Sequence, residues 1–147
     1  MSRLLVASAS TLIDAPPAAV YKALTDPADV KQYFFGTTLT TNWNKGSPIS
    51  WKGEWQGRTY EDKGTVLANE PNRRLEYTHF SPLAGKPDLP ENYHTVTIEL
   101  TPEGSGTRVT LEQDNNETEE AREHSTKNWE MMLGGLKKHV DSRTGRR

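Results

Sequence analysis

The stretch EEAREHSTKNWEMMLGGLKKHV, from Glu119 to Val140, decides how this chain folds. Ala121, Ser125, Trp129, Met132, Leu136 and Val140 recur in it at three- and four-residue steps, with Leu133 beside them. That spacing sets them along one side of a helix of about five turns, an apolar stripe that needs a surface to cover it. Glu119 and Glu120 stand near the positive start of such a helix, and Lys137, Lys138 and His139 near its negative end. Asn116 with Glu119 three residues on has the form of a capping box, and Thr118 offers a second candidate cap. His124 and His139 are expected to face solvent. Gly134-Gly135 costs about 1 kcal/mol per glycine relative to alanine, and close approach of the helix to a strand or a ligand is the expected offset.

The residues before the helix supply the covering surface. Val96, Ile98 and Leu100 alternate with threonines and Glu99, and Val109 and Leu111 follow the turn Pro102-Glu103-Gly104-Ser105-Gly106, which predicts a β-hairpin. Leu75, Tyr77 and His79 alternate with Glu76, Thr78 and Phe80. Tyr60 to Ala68 reads as a strand ending at Asn69-Glu70-Pro71-Asn72, a strong turn signal. Ile49, Trp51, Gly53 and Trp55 share one face of a further strand. The segment 81–92 holds three prolines and a glycine and reads as a loop over the mouth or side of the sheet.

Nearer the start, Leu4 to Ile13 alternates weakly as a first strand. Pro16-Pro17 and Asp26-Pro27 each suit the opening of a short helix, with Asp26 as cap and Pro27 as first helical residue. The order is strand, two short helices, about six strands, long helix. Short turns between successive strands imply an antiparallel meander whose inner face the last helix covers. The expected class is therefore α+β, a sheet of six or seven strands wrapped around one long helix. One domain over residues 1–142 and a basic, disordered tail over 143–147 are expected.

Composition narrows the functional classes. The 147 residues carry a net charge of −2 with both signs interspersed, which gives no general attraction to nucleic acid or anionic membrane. There is no cysteine, so disulfides and thiolate metal sites are excluded. No run approaches the roughly 18 apolar residues of a membrane span, and the N-terminus lacks the apolar core of a signal peptide. A cytoplasmic protein is the expectation.

The ordered set of short motifs resembles a known family. Ile13-Asp14-Ala15-Pro16, Ala23-Leu24-Thr25-Asp26-Pro27 and Tyr33-Phe34 come first. Lys63-Gly64-Thr65-Val66-Leu67, Glu70-Pro71, Arg74-Leu75-Glu76-Tyr77 and Thr95-Val96-Thr97-Ile98-Glu99-Leu100 follow. Gly106-Thr107-Arg108-Val109-Thr110-Leu111 and Asn128-Trp129 through Leu133, Leu136 and Lys137 close the series. Together they resemble an activator-of-Hsp90-ATPase-like (AHSA-type) domain of the START-like, or SRPBCC, superfamily over nearly the whole chain. The resemblance implies the helix-grip, Bet v 1-like fold. It also implies a site for lipids, polyketides or other apolar molecules between sheet and helix, a possible chaperone partner, and a link to stress response. Tyr33 stands where that family often has tryptophan. The segments Asn42-Trp43-Asn44-Lys45-Gly46 and 81–92 depart from its pattern, and both are expected to frame a pocket entrance.

Three functions follow as expectations. The first is non-enzymatic binding of a small, mostly apolar molecule between the strand residues Trp51, Trp55, Tyr77, His79, Val96 and Ile98 and the helix residues Ser125, Trp129, Met132, Leu133 and Leu136, with Trp129 to Leu136 as pocket floor. The rings offer stacking surfaces and polar tips, and equally they can fill a solid core. The second is a protein-interaction role, as monomer or homodimer, with a chaperone as partner. The third is cyclase- or hydrolase-type catalysis, for which only His79 and Tyr77 offer an acid–base group. A shortage of ionisable residues on inward faces favours binding over chemistry, so no catalytic residue is assigned. No histidine–carboxylate spacing suggests a metal, no glycine-rich loop suggests a phosphate cradle, and no cofactor is expected.

Overall fold

The computed structural model describes residues 5–34, 36–55, 57–82 and 85–143, with the backbone alone described at Trp55 and Arg143. In chain order the elements are β1 (Leu5–Ile13), α1 (Pro17–Thr25), α2 (Pro27–Tyr33), β2 (Thr38–Thr40), β3 (Pro48–Trp55), β4 (Arg58–Glu70), β5 (Arg74–His79), β6 (His94–Glu103), β7 (Gly106–Asn116) and α3 (Glu119–Arg143). A 3₁₀ turn, Pro90–Asn92, lies in the segment between β5 and β6. The strands form one antiparallel sheet in the order β1-β7-β6-β5-β4-β3-β2. This is the α+β helix-grip arrangement, and β1 closes the meander by pairing with the last strand. α3 includes Arg143, the first residue of the expected tail; residues 144–147 lie outside the described residues.

Register explains why one face is apolar. Ala7 pairs with Gln113, Gln113 with Val96, Val96 with Tyr77 and Tyr77 with Val66, so one row runs across five strands. Ala9, Leu111, Ile98 and Leu75 form the next row. Strand side chains alternate between faces, so these rows all point to α3 and to the short helices. Leu133, Leu136 and Val140 from α3 and Val20 from α1 join the fully buried set. Burying a side chain of this kind is worth about 1.5–3 kcal/mol.

Local chemistry sets the helix ends. Asp26 accepts from the Ala28 N–H at 2.9 Å and Pro27 opens α2. Thr118, not Asn116, caps α3, its Oγ accepting from the Ala121 N–H at 3.0 Å. Asn116 is turned inward instead, where its amide donates to the carbonyls of Leu5 at 2.9 Å and Gln113 at 3.0 Å.

Two expectations about α3 are corrected. His139 is not solvent-facing; its Nε2 meets Asp29 Oδ1 at 3.1 Å, and Asp29 also pairs with Lys22 at 3.1 Å, tying α1, α2 and α3 together. The glycine step does not meet a strand. A Cβ on Gly135 would lie 3.1 Å from the Tyr33 carbonyl, so the close approach is to the end of α2, while Gly134 faces open space.

Candidate functional site

Where β3, β4 and β5 face the first half of α3, the two layers do not close. A cavity of about 400 Å³ remains, lined by Phe34, Trp51, Tyr60, Asp62, Tyr77, His79, Gln113, Ser125, Trp129 and Met131, with Thr37, Ser81 and Asn128 completing it. The sheet wall carries Trp51 and Tyr77, whose ring centroids are 5.1 Å apart. The opposite wall carries Phe34 and Trp129, 6.4 Å apart. Met131, 60% exposed, stands at the outer edge.

Two polar side chains of α3 are held by the end of β7. The Trp129 indole N–H donates to Gln113 Oε1, and Ser125 Oγ donates to Asn116 Oδ1 at 2.9 Å. The Tyr60 hydroxyl is 2.7 Å from Thr37 Oγ1. Tyr60 reaches that position because it pairs with Gly53, where a Cβ would strike its hydroxyl at 2.5 Å.

One polar pair faces the cavity from the sheet. Tyr60, Asp62, Gly64 and Val66 alternate inward along β4, while Thr59, Glu61, Lys63 and Thr65 are exposed. Asp62 pairs with Trp51, and the Lys63–Phe80 bridge brings it beside the end of β5. His79 Nε2 lies 2.9 Å from Asp62 Oδ2. A carboxylate only accepts, so the ring donates from Nε2. Asp62 Oδ1 is buried without a hydrogen-bond partner among the described residues. His79 also lies edge-on to Trp51 at 5.1 Å and 6.3 Å from the His94 ring. His94 donates from Nδ1 to the Asp114 carbonyl at 2.8 Å, and burial holds its pKa below the ordinary histidine value. Burial pushes the Tyr77 hydroxyl well above its usual range, so it stays neutral and is no base.

The structure brings five of the anticipated site residues to the cavity: Trp51, Tyr77, His79, Ser125 and Trp129. Ile98 and Met132 border a separate void of about 30 Å³ with Tyr33, Trp43 and Leu75. Val96, Leu133 and Leu136 are buried in the closed core, so the helix floor of the cavity ends at Met131 rather than extending to Leu136. Trp55 continues β3 opposite Arg58, and its side chain lies outside the described residues. The segment 42–46 does not frame the entrance. Its Trp43 donates from Nε1 to the Thr25 carbonyl at 3.0 Å and faces the smaller void.

Asp62 overturns the expected shortage of inward ionisable groups. Sequence reasoning passed over it, although period-two alternation back from Val66 places it on the inner face. Gln113, opposite Val96 in the register, was legible in the same way. Phe34 and Met131 depended on how α2 and α3 are placed, which spacing does not encode.

Among the described residues no three histidine, cysteine, aspartate or glutamate side chains converge as a metal site. No helix among them is long and apolar enough to cross a membrane. No curated protein matches the chain. Among solved structures, protein ChR145 of Cytophaga hutchinsonii is 52% identical, with 99% of each chain covered and a TM-score of 0.85. The fold is shared at lower identity by the Aha1 dimer of Colwellia psychrerythraea, 21% identical over 93% of this chain and 96% of that one, TM-score 0.73. It is shared too by Ara h 8.0201, 12% identical over 94% and 98%, TM-score 0.75. Residues 14–141 match the family described as activator of Hsp90 ATPase homolog 1-like protein, and this chain belongs to that family.

Proposed function

We propose that this protein binds a small, mostly apolar molecule in the cavity between β3–β5 and the first half of α3, without transforming it. The observation that carries the reading is a space of about 400 Å³ walled by rings on both sides. Ligand sites commonly occupy about 300–1,000 Å³ and combine apolar walls with a few placed polar groups. Trp51, Tyr77, Phe34 and Trp129 supply the walls, and His79 with Asp62 the polar spot. A base for catalysis would have to be that same pair, since Tyr77 stays protonated. A cytoplasmic location suits a protein of this kind.

The test is thermal melting and tryptophan emission with a panel of fatty acids and fused-ring aromatics. A ligand at a hundred times its Kd adds about 2.7 kcal/mol, or roughly 5–10 °C in Tm for a domain of this size. No shift with any member, together with unchanged emission from Trp51 and Trp129, sinks the proposal.

Membership of the Hsp90-activator family favours a second reading, a chaperone-facing role in stress response, and the dimeric Colwellia relative makes a homodimer its companion. ATPase rates of the cognate chaperone that stay unchanged on adding this protein would remove it.

A further inference from the structure

Gln113 sits within the covered face of the sheet. Its register neighbours Ala7 and Val96 are fully buried, its own exposure is 7%, and it lines the cavity beside Trp129. The orientation of its amide is fixed. An indole N–H can only donate, so the group that meets Trp129 Nε1 is the amide oxygen, Oε1, and the nitrogen, Nε2, takes the other side. That Nε2 has no hydrogen-bond partner among the described residues and, unlike Asp62 Oδ1, is not sealed from the open space beside it. The Ser125 proton is committed: Asn116 Nδ2 donates to two carbonyls, so Asn116 Oδ1 is the acceptor of the Ser125 hydroxyl. Beneath α3 the cavity therefore holds an amide donor that no described residue uses. Among the described residues no lysine or arginine lines the cavity, whereas the carboxylate residue Asp62 does.

We infer that the site selects a flat aromatic molecule carrying an uncharged carbonyl, which accepts a hydrogen bond from Gln113 Nε2, with Trp129 as the positioning residue that aims the amide. The inference rests on reading the cavity as a ligand site. The ring system lies between the Trp51–Tyr77 wall and the Phe34–Trp129 wall, where offset and edge-on ring contacts are favourable. A hydrocarbon of the same shape displaces solvent from Nε2 and leaves a buried donor unpaired. A carbonyl restores the bond, and a site built this way rejects the analogue that lacks the group. A carboxylate would enter with a full charge, meeting no lysine or arginine on the lining and a carboxylate of the same sign at Asp62. An ammonium can only donate, so it leaves Nε2 unpaired.

The experiment measures Kd for acetylnaphthalene, isopropylnaphthalene, naphthoate and naphthylmethylamine on the wild type, Gln113→Met and Trp129→Phe, by calorimetry and tryptophan quenching, with a melt of each variant. A ketone and a hydrocarbon leave water at different cost, so the quantity read is the ratio of their Kd values and its change between proteins. Gln113→Met keeps the length of the side chain and has no donor, and the ratio should move about tenfold toward the hydrocarbon. Trp129→Phe keeps a ring in the wall but frees the amide to turn, so the ratio should move the same way by about threefold. It decides the matter if Gln113→Met does not melt cooperatively. A ratio unchanged in Gln113→Met overturns the carbonyl contact and leaves the cavity reading standing. A ratio that moves in Gln113→Met but not in Trp129→Phe overturns the positioning role of Trp129. Tighter wild-type binding of naphthoate or naphthylmethylamine than of acetylnaphthalene overturns the uncharged carbonyl. Binding of none of the four overturns the cavity reading with it.

Discussion

The two ends of the space between sheet and helix are packed by different rules. Where β1, β7 and β6 meet the second half of α3, the sheet presents Ala9 and Ile13 beside Val109, Leu111 and Ile98, and Leu133, Leu136 and Val140 join them in one buried cluster. α3 packs most closely against β1, the strand with the smallest inward side chains. Where β3, β4 and β5 meet the first half of α3, the inward residues are rings, and several are tethered by hydrogen bonds to fixed partners: Trp129 to Gln113, Tyr60 to Thr37, Trp43 to Thr25. Aliphatic side chains of mixed size interdigitate to near-crystalline density. A tethered ring cannot slide to fill a neighbouring gap without losing its bond, so space survives beside it.

The largest effect should separate the two ends directly. Leu136→Ala removes a side chain with 0% exposure from the closed end and should cost about 3 kcal/mol in urea denaturation. Trp129→Ala borders existing space and is half-buried, so it should cost about 2 kcal/mol, much of it from leaving Gln113 unpaired. A larger loss at Trp129 than at Leu136 would mean that the ring end carries the fold and that the contrast is drawn the wrong way.

A smaller effect sharpens the boundary between the ends. Gly134→Ala meets nothing within 4 Å and should raise stability by about 1 kcal/mol through helix propensity alone. Gly135→Ala gains the same propensity but presses a Cβ against the Tyr33 carbonyl at 3.1 Å, so its gain should be smaller or absent. Equal gains at both positions would remove close approach to α2 as the reason for the second glycine.

The smallest effect concerns His94, whose ring lies 6.3 Å from that of His79. Burial lowers the His94 pKa in the folded chain from its ordinary value near 6.5. Between the folded and unfolded values the unfolded chain binds more protons, so this group's contribution to stability is present above about 6.5 and is lost as the pH falls through and below that value. The acid limb of stability against pH should therefore be shallower in His94→Asn than in the wild type. Coincident limbs would place the pH response elsewhere.

Much of the architecture was legible because it depends on short-range regularities. The three- and four-residue spacing of Trp129, Met132, Leu136 and Val140 could only be a helix stripe, and the alternation of Val96, Ile98 and Leu100 only a strand face. Asp26-Pro27 marked a helix start because its chemistry is local. The candidate site was legible in part for the same reason: Trp51, Tyr77 and His79 share a parity that periodicity reveals. Asp62 shares it too, yet an acidic residue between Glu61 and Lys63 reads as surface until its strand is followed inward from Val66. His139 was misread because its partner, Asp29, lies 110 residues away and belongs to another helix.

By itself, then, the sequence determined the elements, their order, the face each buries and the family to which the chain belongs, since each of these is written in neighbours a few residues apart. Only the tertiary structure decided where the interior closes and where it stays open. That depends on the separation of two layers, which is set by the size and tethering of side chains contributed from distant segments. The same assembly decided that Asp62 meets His79 on a cavity wall, and that one of its oxygens is left with no protein partner among the described residues.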